Sequence, residues 1–255
     1  MALLDVKDMT QNFGGLCAVS EFSVSLEQGQ LAALIGPNGA GKTTVFNLVS
    51  GFYKPTRGEI FFKGESIKGL KPHQVTSKGI ARTFQNIRLW FDMTVLDNIR
   101  IAQYHALGYG IVDCFLRTRR YMQREREIED HAMNVLTRLG LREVAGEFPK
   151  NLPYGVQRLV EIARALSIRP ALLMLDEPAA GLNSADVEGL IRLITDIHKD
   201  FGLTIWMIEH QMDVVMSLCS WIKVIDFGAT IAEGTPEAIQ NNPEVIKAYL
   251  GDDTI

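Results

Sequence analysis

Hydrophobic and polar residues alternate with a period of two at the start of the chain. Residues 3–7 and 22–26 show this alternation, which is typical of strands with one buried face. Three later runs are almost continuously apolar, as expected for strands buried on both faces: 31–35, 171–175 and 203–208. A further strand is predicted over 80–84, and a closing hairpin over 221–226 and 229–232. This part of the pattern predicts an α/β fold.

The pattern changes between residues 93 and 149, where strand signals are absent and apolar residues recur at helical spacing. The residues with this spacing are Val95, Ile99, Ala102, Ile128, Ala132, Val135, Leu136 and Leu139. We therefore expect a helical insertion in the α/β core. An amphipathic helix is also predicted between 187 and 202, and two proline-initiated helices over 236–240 and 243–250.

Composition and charge indicate what kind of protein this is. The 255 residues are 47% hydrophobic and 22% charged with a net charge of −4, which describes a globular chain without an overall basic field for nucleic acid. The three cysteines are scattered and form no C-x-x-C pair, so we expect reduced thiols in a cytoplasmic protein. No signal-peptide pattern and no apolar run of about 18 residues occurs, so a role at a membrane is expected to depend on a partner.

A glycine-rich loop follows the strand predicted at 31–35 and precedes a helix predicted from Val45 to Val49. The loop fits the pattern G-x-x-x-x-G-K-[ST] and consists of Gly36, Pro37, Asn38, Gly39, Ala40, Gly41, Lys42, Thr43 and Thr44. Glycines let several backbone N–H groups turn toward one phosphate chain, and the helix adds its positive N-terminal end. Lys42 can reach the β- and γ-phosphates, and the Thr43 hydroxyl is placed to ligate Mg²⁺. The loop predicts binding of a nucleoside triphosphate.

Polar residues follow the other predicted strands at the ends that face the ligand in open α/β sheets. Asp176 and Glu177 follow an apolar strand, and His210 stands at the exit of another. We predict that Asp176 holds Mg²⁺, that Glu177 orients or deprotonates the hydrolytic water, and that His210 acts beside the phosphate site. Adjacent acids are favoured where a cation or a water task compensates their repulsion. Gln85 either reaches Mg²⁺ or the attacking water, or is an ordinary surface residue.

Three other segments are informative. Phe13, on a loop before the phosphate loop, either stacks on a purine or packs in the core. Residues 117–126 carry five arginines, which form either a solvated helix with Glu–Arg pairs or a face near anionic lipid headgroups or a membrane partner. Residues 149–158 form a predicted loop before a helix over 159–166, whose N-terminus would suit a phosphate.

Along the chain, the order is the glycine-rich loop, Gln85, the loop at 152–158, Asp176 with Glu177, and His210. Motifs in this order resemble an ATP-binding-cassette ATPase over essentially the whole chain. The resemblance implies a P-loop NTPase core, with a RecA-like mixed sheet and an antiparallel β subdomain, and an inserted α-helical subdomain. It assigns 1–92 and 159–255 to the ATP-binding core, and 93–158 to the helical subdomain with its signature loop.

The resemblance also implies roles for individual residues, with ATP and Mg²⁺ bound. Phe13 stacks on adenine; Thr43, Gln85 and Asp176 ligate the metal; Glu177 is the general base; His210 contacts the γ-phosphate. Two subunits would sandwich two ATP molecules. The γ-phosphate held by one subunit would then face a loop of the other, made of Leu152, Pro153, Tyr154 and Gly155.

Two positions depart from the commonest pattern of that family. Pro153 stands where a serine normally donates to phosphate, and it lacks both the hydroxyl and a backbone N–H. We therefore expect weaker stabilisation in trans through this loop. Asn183 replaces the usual aspartate of the loop that follows Asp176 and Glu177.

The departures accompany segments similar to one subfamily, the longer ATPase subunit of branched-chain (hydrophobic) amino-acid importers. These segments are 82–86, 152–155, 176–183, 208–210 and 234–251, together with the helical insertion around 104–130. The resemblance implies a peripheral protein on the cytoplasmic face of the inner (cell) membrane. Its implied partners are a second ATPase subunit (the same or a different chain), two integral membrane permease subunits and an extracytoplasmic substrate-binding protein, with no nucleic acid.

Other members of the same class remain as alternatives. They are the ATPase of another transporter, such as a urea or amide importer or a lipid exporter, and a soluble ATPase of the same family. No residue of the chain is expected to contact the transported molecule.

Overall fold

The computed structural model describes residues 2–250, without the side chains of 105, 106 and 250. The chain starts with β1 (Ala2–Phe13), β2 (Leu16–Glu27), β3 (Leu31–Ile35), α1 (Lys42–Val49), β4 (Arg57–Phe62), β5 (Glu65–Ser66), α2 (Pro72–Ser77) and β6 (Ile80–Arg82). It continues with α3 (Val95–Ala102), α4 (Ile111–Leu116), α5 (Arg119–Arg138), α6 (Tyr154–Leu166), β7 (Leu172–Asp176) and α7 (Ser184–Phe201). The last elements are β8 (Thr204–Ile208), α8 (Met212–Leu218), β9 (Trp221–Asp226), β10 (Ala229–Gly234), α9 (Pro236–Gln240) and α10 (Pro243–Leu250). Short 3₁₀ helices occur at Gln103–Ala106, Arg142–Val144 and Pro149–Asn151.

Contacts divide the chain into two compact units. One consists of Met1–Arg82 with Ala171–Ile255, and the other of Thr83–Pro170. The contact boundaries differ from the predicted limits at 92 and 158. The second limit differs because α6 runs without interruption through residue 158 and packs on α3 and α5 of the same unit. The first differs because residues 84–88 are hydrogen-bonded to Arg158 and Glu161 of α6. No helix in the described part of the chain is long and apolar enough to cross a membrane.

The first unit contains an antiparallel sheet of order β2-β1-β4-β5. Val6 pairs with Val24 on one side and with Ile60 on the other, and all three side chains are buried. The strands predicted at 3–7 and 22–26 are confirmed and are longer than predicted. The turn between β1 and β2 needs only the glycine pair at 14–15, because Gly14 adopts a φ of +57°. Phe13 is thus the last residue of β1, and the prediction that it lies on a loop was wrong.

The second sheet of this unit has the order β10-β9-β3-β8-β7-β6. Every neighbouring pair is parallel except β9 with β10, so the sheet is mixed as predicted. All five residues of β3, of β7 and of β8 are buried. Strand β6 ends at Arg82, since its pairing with β7 stops there, and the predicted strand over 80–84 was too long.

The two sheets and α1 share one hydrophobic core. Trp206 on β8 lies at its centre, with ring centroids 4.8 Å from Phe46 on α1 and 6.5 Å from Phe22 on β2. Such aromatic contacts add to the free energy of burial and fix the position of α1 beneath the antiparallel sheet. Helix α1 begins at Lys42, three residues before the predicted start at Val45.

The second unit is helical, and its described residues contain no strand. The predicted helical spacing is confirmed, since Ile99, Ile128 and Leu136 are buried where α3 and α5 pack.

Helix α6 starts at Tyr154, so the predicted helix start at 159 was wrong. Pro153 is its N-cap with φ −55° and ψ 151°, and its carbonyl accepts a hydrogen bond from Gln157 N at 3.0 Å. A proline fits there because the N–H that it lacks has no acceptor at a helix start.

A buried ion pair connects α6 to the segment after β6. Arg158 Nη1 lies 2.9 Å from Glu161 Oε2, and both side chains are 1% exposed. Arg158 also donates to the carbonyl oxygens of Phe84 at 2.7 Å and Gln85 at 2.8 Å, while Glu161 Oε1 accepts from Arg88 N at 3.3 Å. Burial raises the pKa of Glu161, and the Arg158 charge opposes that shift. The pair therefore holds residues 84–88 against α6 through their backbone.

We expect Glu161→Ala to destabilise the folded protein by about 3–5 kcal/mol, because it leaves the Arg158 charge buried without its partner. The double change Arg158→Met with Glu161→Leu should recover much of this loss. Urea denaturation followed by circular dichroism measures both. Glu127→Ala removes the exposed acid of the Arg124–Glu127 pair, which has the same spacing, and should change stability little. Equal losses for Glu161→Ala and Glu127→Ala would contradict the buried-pair explanation.

Candidate functional site

The register of the parallel sheet brings three strand ends together. Leu34 of β3 pairs with Ile208 of β8, and Ile208 pairs with Asp176 of β7. The carboxyl ends of these strands therefore lie side by side, at the edge where open α/β sheets bind ligands. The glycine-rich loop, the Asp176–Glu177 pair at the end of β7 and the Glu209–His210 pair after β8 meet at this edge.

The glycine-rich loop curls tightly between β3 and α1. A Cβ on Gly36 would lie 2.0 Å from the carbonyl oxygen of Ile225, and one on Gly41 would lie 2.5 Å from that of Ala18. Gly41 also has a φ of +103° as the N-cap of α1. Only glycine fits these two positions without moving the backbone, so the curvature of the loop is built into its packing.

Lys42 is folded back over this loop. Its Nζ donates to the carbonyl oxygens of Gly36 at 2.7 Å and Pro37 at 2.8 Å, and the residue is buried. Burial lowers the pKa of Lys42, while the charges of Glu177 and Asp176 oppose that shift. A buried ammonium held by two carbonyls is poised for a stronger anionic partner.

The donors of the loop suit a phosphate chain. The first amides of an α-helix have no acceptor within the helix, and they give its N-terminus a partial positive charge. Here these amides belong to the residues that start α1, beside the Lys42 ammonium. The loop residues differ in exposure: Asn38, Gly39 and Thr43 are exposed, Pro37, Gly41 and Thr44 are partly buried, and Gly36, Ala40 and Lys42 are buried.

Asp176 at the end of β7 already has a cationic partner. Its Oδ2 lies 2.7 Å from Arg82 Nη2, and both side chains are buried. Arg82 Nη1 in turn donates to Asn47 Oδ1 and Ser50 Oγ of the α1 segment, each at 2.8 Å. The repulsion between the adjacent acids is therefore relieved by the protein itself. Arg82 was missed as a site residue because 94 positions separate it from Asp176.

Glu177 has a backbone conformation that is rare for a residue with a side chain. Its φ is +49°, and its N–H donates to the carbonyl of Ile208 at 2.9 Å. In this conformation Glu177 Oε1 accepts a hydrogen bond from His210 Nε2 at 2.8 Å. Left-handed backbone at a non-glycine residue costs on the order of 1–3 kcal/mol and is concentrated at functional sites. The structure thus pairs the predicted general base with the predicted histidine.

Glu209 was not singled out by the sequence pattern, although it lies beside His210. It is 2% exposed, and its Oε2 has no hydrogen-bond partner in the described part of the chain. Burial raises its pKa to about 7, the Glu177 charge adds to that shift, and backbone N–H groups of Gln211, Ala179 and His210 oppose it. Gln211 Nε2 also donates to the Ala179 carbonyl at 3.2 Å. Glu209 and Gln211 therefore join the loops that follow β7 and β8.

Phe13 is partly exposed and lies outside the hydrophobic core, so the interpretation of Phe13 as a core residue was wrong. Its ring meets Tyr53 edge to face, with centroids 5.3 Å apart and an interplanar angle of 75°. The exposed part of this pair is available for a planar base, and Tyr53 is an aromatic residue that the sequence pattern did not reveal.

The remaining predicted residues belong to the helical unit. Gln85 is exposed, and its carbonyl is held by Arg158. In the signature loop, Leu152 is partly buried, Pro153 and Tyr154 are exposed, and Gly155 lies in the first turn of α6. Arg158 Nη2 also donates to the Tyr154 hydroxyl at 3.2 Å, which joins the start of α6 to the Gln85 segment. The roles of these residues toward a nucleotide stay predictions.

Asn183, the second departure from the family pattern, is the N-cap of α7. Its Oδ1 accepts a hydrogen bond from Asp186 N at 2.9 Å. Asparagine and aspartate cap helices equally well, so the change preserves the start of this helix.

The donors at the sheet edge fit Mg²⁺ only together with phosphate. No cluster of three or more histidine, cysteine or acidic side chains in the described chain is placed to hold a metal. Mg²⁺ commonly binds one or two carboxylates and completes its shell with water and substrate phosphates. Asp176 and the exposed Thr43 hydroxyl offer the protein ligands that such a site requires.

Glu209 makes stability depend on pH in a defined direction. Because its pKa is raised to about 7, the folded protein binds more protons than the unfolded chain between about pH 4.5 and pH 7, and stability falls as pH rises through this window. Glu209→Gln removes this loss of stability at higher pH. The free energy of unfolding of the variant minus that of the parent chain should therefore increase by about 2 kcal/mol from about pH 5.5 to about pH 8.

Urea denaturation at both pH values measures this difference. Glu188→Gln, which neutralises an exposed acid on α7, is the matched control and should show no such trend. Parallel pH profiles for Glu209→Gln and the parent chain would contradict the assignment.

The comparisons with known proteins agree with this geometry. The ABC transporter family matches residues 19–180, and the family of branched-chain amino acid ATP-binding cassette transporters matches residues 229–254. The last of these residues lie beyond 250, outside the described part of the chain, as does Gly251 of the sequence motif.

Two curated relatives span almost the full chain. The high-affinity branched-chain amino acid transport ATP-binding protein BraF of Pseudomonas aeruginosa is 46% identical over 250 residues, covering 98% of each chain. The corresponding protein LivG of Escherichia coli K12 is 45% identical over 250 residues with the same coverage.

The solved structures agree on the fold. A nucleotide-free ATP-binding cassette from an ABC transporter is 30% identical, has a TM-score of 0.86, and covers 99% of this chain and 100% of its own. An ADP-bound conformation of an ATP-binding cassette has the same TM-score at 29% identity. With its phosphate loop, its acidic strand end and its histidine at one sheet edge, the chain belongs to the ABC transporter family, as one of its ATP-binding cassette ATPases.

Proposed function

We propose that this chain is the ATP-hydrolysing subunit that powers an importer of branched-chain or other hydrophobic amino acids. The observation that carries the hydrolytic part is the juxtaposition of the Lys42 loop with the hydrogen-bonded pair Glu177–His210. The substrate class rests on the names of the relatives and on the matching C-terminal segment.

The residues of the phosphate loop would bind the triphosphate of ATP. The amides at the start of α1 and the Lys42 ammonium would neutralise the β- and γ-phosphates, with Lys42 exchanging its two carbonyl partners for phosphate oxygens. The exposed face of Phe13 would stack on adenine, with Tyr53 fixing the orientation of its ring.

Glu177 is suited to accept a proton from the attacking water. Its left-handed backbone presents the carboxylate at the sheet edge, and the His210 hydrogen bond restricts its orientation. His210 would also contact the γ-phosphate. Glu209 and Gln211 would hold the two loops that carry this pair at a fixed separation.

Thr43, Asp176 and Gln85 would hold Mg²⁺, and the chemistry supplied there would be neutralisation of charge on the phosphates. Arg82 holds the Asp176 carboxylate in its orientation, and it attaches that residue to α1. The residue that carries the metal ligand and the helix that carries the phosphate loop are therefore connected through one guanidinium.

The proposed assembly has a second ATPase subunit, two integral membrane permease subunits and an extracytoplasmic substrate-binding protein. The chain would lie on the cytoplasmic face of the cell membrane and attach through the permeases. Residues 152–155 of one subunit would face the γ-phosphate bound by the other. There Pro153 lacks the donor that a serine supplies, which leaves Gly155 and the amides of α6 to contact phosphate.

Glu177→Gln should retain ATP binding but lose at least about a hundredfold in turnover, because an amide cannot accept the proton from water. Lys42→Ala is the complementary variant and should lose nucleotide affinity itself. Equilibrium binding of a fluorescent ATP analogue and single-turnover hydrolysis separate the two effects. Near-normal hydrolysis by Glu177→Gln would remove this residue as the base.

The transport role is tested by recovering the chain, with a tag, from washed membranes of its native cell. We expect it to copurify with two polytopic proteins and a second cassette subunit. In proteoliposomes the complex should import a labelled branched-chain amino acid with ATP but not with Glu177→Gln. Uptake of urea or a lipid instead would reassign the substrate. Recovery free of membrane proteins would favour an ATPase that works away from the membrane.

A further inference from the structure

Helix α4 turns its apolar side toward solvent. Ile111 is 90% exposed and Phe115 87%, while Val112 and Leu116 are 70% and 66% exposed. Positions i, i+1, i+4 and i+5 fall within about 140° of arc around a helix, so these four side chains form one continuous surface. We call it the α4 apolar face. Exposed apolar clusters of this kind mark interaction sites more often than isolated hydrophobic residues do.

The acidic side chain of α4, Asp113, is hydrogen-bonded to residues at the two ends of the helix. Asp113 accepts hydrogen bonds from Gly110 N at 3.1 Å and from the Thr118 hydroxyl at 2.9 Å. These bonds close both ends of the short helix and lower the pKa of Asp113. The Asp113 carboxylate thus stabilises the turns before and after α4, while the apolar residues of the helix remain exposed.

Three arginines follow the α4 apolar face directly. Arg117, with φ +46°, is the C-cap of α4, and Arg119 and Arg120 lie in the first turn of α5. All three are exposed, and within the described residues none forms a salt bridge, although the charge of Arg120 acts on nearby Asp113. By contrast, Arg124 further along α5 pairs with Glu127 at 3.0 Å. In a chain of net charge −4, residues 117–120 are therefore a local basic patch.

We propose that the α4 apolar face and the arginines at 117–120 bind the surface of an anionic lipid bilayer. The isoleucine, valine, phenylalanine and leucine side chains would enter the boundary between headgroups and acyl chains, and the guanidinium groups would contact lipid phosphates. A bilayer fits better than a protein groove, because the side chains project from the surface and the basic groups flank them. Four side chains make a weak anchor, which would act together with attachment through membrane subunits. The proposal goes beyond the proposed function and requires neither ATP hydrolysis nor an amino-acid substrate.

Flotation of the full chain with vesicles tests it. We expect binding to phosphatidylcholine vesicles that contain about 30% phosphatidylglycerol, no binding to pure phosphatidylcholine, and weaker binding as salt is raised. Phe115→Ser should lower the affinity about tenfold, and the triple change of Arg117, Arg119 and Arg120 to glutamine about a hundredfold. Because these side chains are exposed, the variants should fold normally.

The matched controls make equivalent substitutions at other exposed positions of the chain. Phe227→Ser changes an aromatic residue that is 88% exposed in the turn between β9 and β10. Changing Lys7, Lys54 and Lys199 to glutamine removes three exposed charges elsewhere. Both controls should keep the parental affinity for vesicles.

Several results would overturn the proposal. One is a failure of the parent chain to bind anionic vesicles, and another is binding that persists in the Phe115→Ser and arginine variants. A third is protection of Phe115 only when permease subunits are present, which would assign the surface to a protein. Self-association that Phe115→Ser abolishes would assign it to a second copy. ATP hydrolysis is measured on the same preparations, so failure of the lipid proposal is distinguished from failure of the proposed function.

Discussion

Strand β8 runs between β3 and β7, and its register determines which residues meet at the functional edge of the sheet. Ile208 pairs with Leu34 on one side and with Asp176 on the other, and its carbonyl accepts the N–H of Glu177. Since side chains alternate between the two faces of a strand, a slip of one residue would reverse this arrangement. All residues of β3, β7 and β8 are buried, so such a slip would draw the polar residues at the strand ends into the core without partners.

Charge at this edge is balanced inside the protein. Asp176 is compensated by Arg82, Glu177 is hydrogen-bonded to His210, and Lys42 is held by two loop carbonyls. Each interaction leaves a group that a phosphate or a metal can engage at a small cost in rearrangement, which is how preorganised sites stabilise developing charge. Glu209 differs from these groups, because no salt bridge to it occurs among the described residues and its burial favours the protonated carboxyl.

In the helical unit, too, charged side chains compensate each other, and there they also contact backbone groups. Arg158 and Glu161 together contact carbonyl and N–H groups of residues 84–88, and Arg158 also holds Tyr154. A movement of the start of α6 is therefore mechanically connected to the segment that contains Gln85. This connection lies within one unit and offers a route by which the signature helix and the Gln85 segment can move together.

The sequence by itself determined the features whose chemistry is local. The glycine-rich loop, the apolar strands, the proline-initiated helices and the positions of Asp176, Glu177 and His210 at strand ends all follow from short-range patterns, and the predicted fold was confirmed. Element boundaries were less certain: the ends of β1 and β6 and the starts of α1 and α6 depend on ladder pairing and capping, which short-range patterns record only weakly. Only the tertiary structure decided the pairing of Arg82 with Asp176, the burial of Glu209, the exposure of Phe13 beside Tyr53 and the outward orientation of α4. The physical reason is that these properties come from contacts between residues far apart in the chain or, for α4, from the lack of a covering neighbour among residues 2–250.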